Sequence, residues 1–441
     1  MKKLLLIILA MAAFNGCVSL EEGNSKVSIL ENKLVQIQNE NIRSEEEIKN
    51  FKKRISTSKN DISEITGKLD TIKSLAEESE TIHVFQEKIS SNLKFEKKYP
   101  GELPETLNYV FVRSRRINLR EGPTTISTIL SNANYLDKLP LLEELTNKQG
   151  TKWYKVLDKK GREVYVHSSV VEKRVFRFNT MVDNLNKLDT FISSELEKKR
   201  VIASIKAYVP NPNNVNLQRK EDKYGNTVDQ SAQAYSENGR LFIPDSTIIS
   251  MEENSDTESD MIKIKVSYAS ENSISVHKSF ITKSPKINRS PDKAVVIDTH
   301  NQNFGVFERK NGEWVLISYV YSKTGSESRL GFKTPKGFFI VPNAKKIMTY
   351  NSEIGEKQGY AQYAIRFSGG GYIHATPFNY DEDEKATRGW KEGTLGTYAG
   401  TRKCVRNKED HAKFLFDWVL NGKISKENYQ SVYENVAVIV M

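Results

Sequence analysis

The chain reads GTRKCVRN at residues 400–407, around Cys404, the second of its two cysteines. Arg402, Lys403 and Arg406 surround this thiol, and such a basic segment is a poor sequence for a buried core. The thiolate is the reactive form of cysteine, and neighbouring positive charge lowers the pKa of a thiol. The segment therefore predicts a nucleophilic Cys404 with a lowered pKa.

Short apolar runs separated by turns precede this segment. They lie at residues 294–298 (AVVID), 304–307 (FGVF), 314–321 (WVLISYVY) and 334–341 (TPKGFFIV). Strand and turn signals that recur at this spacing predict a mixed β sandwich or barrel over residues 293–441. Within it, YIHATP at residues 372–377 places His374 at the end of a predicted strand, where its ring can face a site.

Four segments, in this order, resemble the L,D-transpeptidase catalytic domain. They are AVVID with its hairpin partner, SKTG at 322–325 followed by TPKGF at 334–338, YIHATP, and GTRKCVRN. In that family a Thr-Pro-x-Gly-x-Phe strand precedes an Ile-His-Gly/Ala-Thr segment, and the active-site loop reads Ser/Thr-His-Gly-Cys-Val/Ile-Arg/Asn. The resemblance implies that Cys404 is the nucleophile and His374 the base, with the backbone carbonyl of Ala375 orienting the imidazole.

The loop departs from the family pattern at two positions. Arg402 stands where the family has histidine, and Lys403 stands where it has glycine. If the loop needs a positive φ before the nucleophile, lysine must adopt a conformation that glycine takes more readily. Backbone N–H groups around Lys403 and Cys404 are the expected oxyanion donors. The residues expected at the oxyanion and substrate sites are Lys403, Arg402, Arg406, Thr401 and Tyr372.

Two further features of this segment lead to expectations. The insert between His374 and Thr401, which contains Tyr380 and the acidic run 381–384, predicts a lid over the cleft. His411 is the competing candidate for the base, but its place on a predicted helix, 408–420, favours a capping or surface position.

The resemblance implies a reaction in two steps. The Cys404 thiolate attacks the third residue of a peptidoglycan tetrapeptide stem and releases D-alanine, and an amine on another stem or on an envelope protein then resolves the thioester. No cofactor and no metal are expected. The residues alone indicate only cysteine acyl transfer. Two alternatives stay open: a hydrolase such as an L,D-carboxypeptidase, and a non-catalytic tether that binds peptidoglycan.

The chain begins with MKKLLLIILAMAAFNGC, residues 1–17. Lys2 and Lys3 precede a short apolar region, which is typical of a signal peptide and too short to span a bilayer. Gly16 before Cys17 resembles the lipobox of bacterial lipoproteins. This implies that residues 1–16 are removed and that acylated Cys17 anchors the protein to a membrane, in the cell envelope and facing the periplasm. The alternative is an ordinary signal peptide.

Apolar residues recur at heptad spacing from Val27 to Ala76 in a stretch without proline. This pattern predicts a coiled-coil stalk over residues 17–99 that ends before Pro100 and supports self-association, with Asn41 fixing its register. A continuous helix of about 70 residues would reach about 100 Å. The alternative is a helix that folds back on the protein's own body.

Short β-rich runs separated by Gly/Pro turns follow the stalk. RINLREGP at 116–123, TKWYKV at 151–156 and VYVHSSVV at 164–171 resemble a bacterial SH3 domain over residues 108–174 and predict a small barrel. A helical connector is expected at 177–200. Residues 201–290, which include a polar loop at 209–239, predict a degenerate second module, because VHKSFI at 276–281 resembles VHSSVV at 166–171. His167 and His277 recur at equivalent places, which suggests a shared turn.

Length and composition limit the number of domains and the classes of partner. The 441 residues exceed one ordinary core, and 66 Lys+Arg against 56 Asp+Glu give a net charge of +10. A basic surface suits peptidoglycan or anionic lipid headgroups, whereas the mixed charges and the lack of a nucleic-acid motif argue against a nucleic-acid partner. The predicted fold class is multidomain, with an N-terminal coiled-coil helix, SH3-like small β-barrels and a mainly-β L,D-transpeptidase-like domain at the C-terminus.

Overall fold

The computed structural model describes residues 20–39, 45–77, 79–86, 88–90, 92–208, 221–252, 259–271, 273–328, 331–352 and 355–441. The predicted signal segment, Cys17 and Asn41 lie outside these residues. The chain divides into two units. The first comprises the residues up to Gln86 together with 110–172, and the second comprises 87–109 together with 173–441.

The first unit begins with two helices, α1 (Leu20–Asn39) and α2 (Glu45–Glu77). They run antiparallel, because Glu31 pairs with Lys59 at 2.5 Å while Gly23 lies beside Ile62. The helices bury part of the heptad stripe against each other. The buried residues along this pair include Val27, Leu30 and Ile55.

The prediction of one continuous helix up to Pro100 is therefore wrong. Helix α2 ends at Glu77 and is followed by a strand, β1 (Glu80–Val84), and the two helices pack on each other. At 1.5 Å per residue, α2 is about 50 Å long. In the part of the chain that the structure describes, no helix combines the length and the apolar character needed to cross a membrane.

A curved sheet forms the rest of the first module, in the order β4-β3-β7-β6-β5-β2-β8, with β1 on β5. A 3-10 turn at Ser168–Val170 precedes β8. The strands are β2 (Asn108–Val112), β3 (Arg116–Arg120), β4 (Ile129–Asn134), β5 (Lys138–Thr146), β6 (Lys152–Leu157), β7 (Glu163–His167) and β8 (Val171–Val175).

The small closed barrel predicted for residues 108–174 does not form. Strands β4 and β8 are the two ends of an open path of hydrogen-bonded strands. Register shifts in β3 and β5 bend the sheet, because a bulge increases local twist. The apolar core lies on the concave side of the sheet, although no hydrogen bonds join β4 to β8. It includes Val110, Val112, Leu119, Leu141, Val156 and Val166.

Helix α3 (Phe178–Glu197) opens the main part of the second unit. It was expected as a connector, yet one face of it is buried against a sheet of the C-terminal domain. The apolar residues at three- and four-residue spacing produce this face. They are Phe178, Met181, Leu185, Leu188 and Ile192.

A second curved sheet follows, in the order β11-β10-β14-β13-β12-β9-β15. Its strands are β9 (Val201–Ile205), β10 (Ser231–Ser236), β11 (Gly239–Pro244), β12 (Ile248–Met251), β13 (Met261–Val266), β14 (Ile274–His277) and β15 (Ile281–Ile287). Taken strand by strand, this is the order of the first module. A 3-10 turn at Lys278–Phe280 also recurs, and in each module the histidine ring accepts from the serine N–H two residues on, His167 at 3.2 Å and His277 at 3.3 Å.

The C-terminal domain contains two packed sheets. One has the order β18-β17-β16-β26-β19, and the other has the order β24-β22-β21-β20-β25 with β23 on β21. Helix α4 is Glu384–Gly393 and helix α5 is Glu409–Val419. The strands are β16 (Lys293–Asp298), β17 (Asn303–Lys310), β18 (Glu313–Tyr321), β19 (Gly337–Ile340), β20 (Asn343–Asn351), β21 (Lys357–Ser368), β22 (Gly371–Ala375), β23 (Phe378–Asn379), β24 (Val405–Asn407), β25 (Tyr429–Ser431) and β26 (Val436–Val440).

The packing of these sheets determines where the candidate site lies. Side chains of both sheets and of α5 share one apolar core, which includes Val295, Phe339, Phe367 and Phe416. At the edge of the second sheet β22 pairs in parallel with β24, with His374 opposite Arg406. The strand that carries the predicted base therefore lies beside the strand that starts immediately after Cys404.

Candidate active site

A cleft of about 450 Å³ opens at this sheet edge. Six of the residues predicted for the site line it: Cys404, His374, Tyr372, Thr401, Arg402 and Arg406. Residues that the sequence did not single out line it as well, namely Ser328, Met348, Tyr350, Gln358, Gly370, Pro377, Asn379, Lys391 and Gly400. The run Gly369-Gly370-Gly371 before β22 was a usable signal, because glycine within a strand pattern often marks a close backbone approach.

His374 is held in one orientation at the end of β22. It is 2% exposed, and its Nδ1 lies 2.6 Å from the carbonyl oxygen of Ala375. A carbonyl only accepts, so Nδ1 carries the proton and Nε2 is left as an acceptor. Burial lowers the pKa of His374 to about 3, and the positive charge of Arg406 adds to this effect. The imidazole is therefore neutral at pH 7.

The thiol of Cys404 lies in a polar backbone environment. It contacts the carbonyl oxygen of Gly370 at 3.6 Å and accepts from the backbone N–H of Tyr372. Burial raises the pKa of Cys404, although the Tyr372 N–H and the cations Arg406 and Lys403 act in the opposite direction. The expected lowering of this pKa is wrong, because desolvation of the thiolate outweighs the neighbouring positive charges.

Alkylation of Cys404 by iodoacetamide should accelerate with pH through a midpoint above the ordinary thiol value. Burial disfavours the thiolate, so its fraction at pH 7 should lie below about 3%. The rate constant can be measured at each pH by mass spectrometry of the peptide that contains Cys404. A plateau that is already reached near pH 6 would indicate a thiolate–imidazolium pair and would contradict this reading of the site.

Lys403 points away from the cleft. Its backbone has φ +76°, and the residue is 4% exposed. The left-handed conformation costs a non-glycine residue about 1–2 kcal/mol. Its N–H, predicted as an oxyanion donor, instead donates to Phe332 O at 2.9 Å. Its Nζ donates to Asp229 O at 3.0 Å and pairs with Asp229 Oδ2 at 3.1 Å, so the predicted substrate contact is also wrong.

The other predicted substrate contacts differ in what they can do. Thr401 is buried, and its hydroxyl donates to the backbone oxygen of Cys404 at 2.5 Å, so it fixes the loop. Arg402 is exposed and Arg406 is half-buried. Within the described residues neither guanidinium has a carboxylate partner, and both face the cleft. Tyr372 lines the floor, and burial raises its pKa to about 12.

The insert after His374 forms one wall of the cleft. Asp383 caps α4 by accepting from the N–H groups of Lys385 and Ala386. Lys391 on this helix donates to Pro377 O at 2.9 Å and pairs with Glu382 at 2.5 Å. Part of the acidic run thus has defined roles in holding the wall together.

His411 lies neither on the surface nor in a capping position. It is 0% exposed on α5, and its Nε2 lies 2.8 Å from Ser318 Oγ. Its ring packs against Tyr99 with centroids 4.8 Å apart. Burial lowers its pKa to about 3. This histidine belongs to the core and lies outside the group of residues that line the cleft.

Two segments of the chain match known families. Residues 115–172 match the bacterial SH3 domain, and residues 292–436 match the L,D-transpeptidase catalytic domain. No curated protein shows a significant match to the chain.

Solved structures with similar parts include two mycobacterial enzymes. An L,D-transpeptidase from Mycobacterium smegmatis is 15% identical over 55% of this chain and 91% of that protein, with a TM-score of 0.25. One from Mycobacterium tuberculosis is 13% identical over 55% and 90%, with a TM-score of 0.25. A fused Zn-dependent amidase/peptidase/peptidoglycan-binding protein from Clostridium acetobutylicum is 13% identical over 34% of this chain, with a TM-score of 0.22; the match spans about half of that protein, 52%.

Proposed function

We propose, starting from the match of residues 292–436 to the L,D-transpeptidase catalytic domain, that the chain is a peptidoglycan L,D-transpeptidase. It would transfer the acyl group of the third residue of a tetrapeptide stem to an amine acceptor, with release of the terminal D-alanine, and so form a 3-3 cross-link or attach an envelope protein. One observation carries the proposal: within the matched segment, Cys404 and a neutral His374 fixed by Ala375 O line the same cleft.

The residues support a balanced two-step acyl transfer. The sulfur of Cys404 attacks the carbonyl carbon of the third stem residue while His374 Nε2 accepts the thiol proton. The bond to D-alanine breaks, and the proton passes from His374 to the leaving amine. An acceptor amine then attacks the thioester and gives its proton to His374. The thiolate leaves and recovers a proton, so the enzyme returns to its starting state.

Charge stabilisation would come from the loop and the cleft. The N–H of Cys404 has no acceptor in the described part of the chain and is the oxyanion donor we favour. The guanidinium groups of Arg402 and Arg406 can receive the carboxylates of a stem peptide, since arginine binds carboxylates through paired hydrogen bonds. A neutral thiol and a neutral imidazole at rest suit proton transfer during attack rather than a preformed ion pair.

The remaining parts of the chain would hold the enzyme at the wall. The segment that matches the bacterial SH3 domain, 115–172, and the 201–290 module with the same strand order are proposed to contact peptidoglycan. Acylation of Cys17 would anchor the protein to a membrane, facing the periplasm. Because α1 and α2 pair within the chain, a long self-associating stalk is not part of the proposal.

The decisive experiment incubates the full chain, in detergent, with disaccharide-tetrapeptide muropeptides and identifies the products by mass spectrometry. Cross-linked dimer together with free D-alanine is the expected result. Tripeptide without dimer, formed only when Cys404 is present, would replace the proposal by a hydrolase. Bound but unaltered muropeptide, with stem amines supplied as acceptors, would favour the tether.

A further inference from the structure

A turn outside the catalytic domain contacts two residues that flank the Cys404 thiol in space, the side chain of Lys403 and the backbone of Gly370. Asp229 and Gln230 lie between β9 and β10 of the 201–290 module. Asp229 holds the Nζ of Lys403, the residue before Cys404. Gln230 lies close against the backbone of Gly369 and Gly370. The approach leaves no room for a side chain, because a Cβ added to Gly370 would lie 2.6 Å from Gln230 Nε2. The carbonyl of Gly370 is the one that the Cys404 thiol contacts.

The contact on the lysine side involves a strained residue. Lys403 has φ +76°, a conformation that L-residues other than glycine, asparagine and aspartate rarely adopt. Its N–H and its carbonyl are both engaged, with Phe332 O at 2.9 Å and with Thr334 Oγ1 at 3.0 Å. Lys403 and Asp229 are 4% and 3% exposed. A buried charge that loses its partner is strongly unfavourable, so the pair resists any rotation that would relax the backbone.

We propose that Asp229 is a positioning residue for the nucleophile: its ion pair with Lys403 holds the left-handed backbone that keeps Cys404 against Gly370. The 201–290 module is thereby a working part of the active site as well as a wall-binding element. The inference rests on the proposed role of Cys404. It also explains how the loop tolerates lysine at the position where the family pattern has glycine, because the ion pair supplies the conformation that glycine adopts unaided.

The test replaces Asp229 by asparagine in the full chain and follows two quantities. Release of the loop should expose the thiol, so Cys404 alkylation at pH 7 rises at least about threefold and its pH midpoint falls toward the ordinary thiol value. The misplaced sulfur should lower kcat for D-alanine release about tenfold with little change in KM. Reactivity and turnover should therefore move in opposite directions. General loss of structure would do the same, so the unfolding transition is measured as well and should stay cooperative and lie above the assay temperature.

Matched variants separate this effect from loss of an interface. Glu221→Gln removes the Glu221–Lys333 pair, 2.7 Å, between the same module and the catalytic domain, and should leave both quantities unchanged. Two double variants then compare glycine with alanine. Asp229→Asn with Lys403→Gly should return both quantities to their wild-type values, whereas Asp229→Asn with Lys403→Ala should keep the values of Asp229→Asn, because only glycine adopts a positive φ at no cost.

Two results would overturn the proposal. One is an Asp229→Asn protein whose alkylation profile matches the wild type. The other is equal behaviour of the glycine and alanine double variants, and this comparison decides the matter even if the single variant folds poorly. Alkylation needs no muropeptide, so the two ideas can fail separately. If the wild type shows no turnover but the variants still differ from it in alkylation, the proposed function is wrong and the positioning role of Asp229 stands.

Discussion

Replacing Cys404 with serine should lower kcat for D-alanine release by roughly 10⁴-fold. Serine keeps a hydrogen-bond donor toward Gly370 O, but its hydroxyl is a far weaker acid than a thiol. His374, whose pKa burial lowers to about 3, would then have to accept a proton from a much weaker acid than the thiol. The measurement is the initial rate of D-alanine release at saturating muropeptide, together with the mass of any acyl-enzyme, which should be absent.

Cys404→Ala is the matched control for this prediction. It should show the same loss as serine, and both variants should unfold at nearly the wild-type temperature, because the half-buried thiol contributes little packing. A serine variant that keeps more than about a tenth of the activity would mean that another group carries the acyl transfer.

Replacing His374 with glutamine should lower kcat about 10²–10³-fold, the range typical of a lost general base. Glutamine can still donate to Ala375 O, so the orientation of the side chain is largely kept. Its amide cannot take up the thiol proton during attack. The loss should appear in kcat rather than in KM, and the pH dependence of the residual rate should follow the thiol alone.

His411→Gln provides the comparison for His374→Gln. The two histidines have nearly the same exposure, 0% and 2%, and burial lowers the pKa of both to about 3. His411 packs beside Ser318 and Tyr99, away from the cleft. Its replacement should lower the free energy of unfolding while leaving turnover per folded molecule intact. Equal kinetic losses for the two variants would remove His374 from its assigned role.

Motif order predicted the family correctly. The resemblance assigned to residues 293–441 agrees with the family match at 292–436, and the bacterial SH3 domain expected at 108–174 agrees with the match at 115–172. These segments were recognisable because glycine, proline and the reactive side chains recur at fixed offsets. That His374 and Cys404 share a cleft followed from the same order, since each lies at the end of a short segment with a defined place in the domain.

Sequence periodicity could not choose a partner for the N-terminal helices. A heptad stripe states which residues are buried and says nothing about which chain covers them. The stripe around Val27 and Ile55 fits a second chain as well as it fits a hairpin. His411 was misassigned for a related reason: one apolar face, with Leu415, was taken as the whole buried surface, although His411 lies one turn before Leu415 on that face.

The loop chemistry was the least predictable part. Charge counting around Cys404 predicted a lowered thiol pKa, but the balance between desolvation and charge depends on burial, which no local sequence reveals. The cation nearest in sequence, Lys403, turned out to be engaged by Asp229, 174 residues away along the chain. Contacts at such a distance carry no pattern in the sequence of either segment.

The Lys403–Asp229 pair and the buried face of α3 determine which fragments of this protein can be excised without loss of stability. A fragment excised at the family boundaries, 292–436, would lose Asp229 and with it the ion pair of Lys403. It would also expose the apolar surface that Phe178 and Leu185 cover. The block that could be recombined into another protein without such damage is the larger one, residues 87–109 together with residues 173–441. The segment that matches the catalytic-domain family, 292–436, is therefore smaller than the part of the chain that has to be kept for a stable fold.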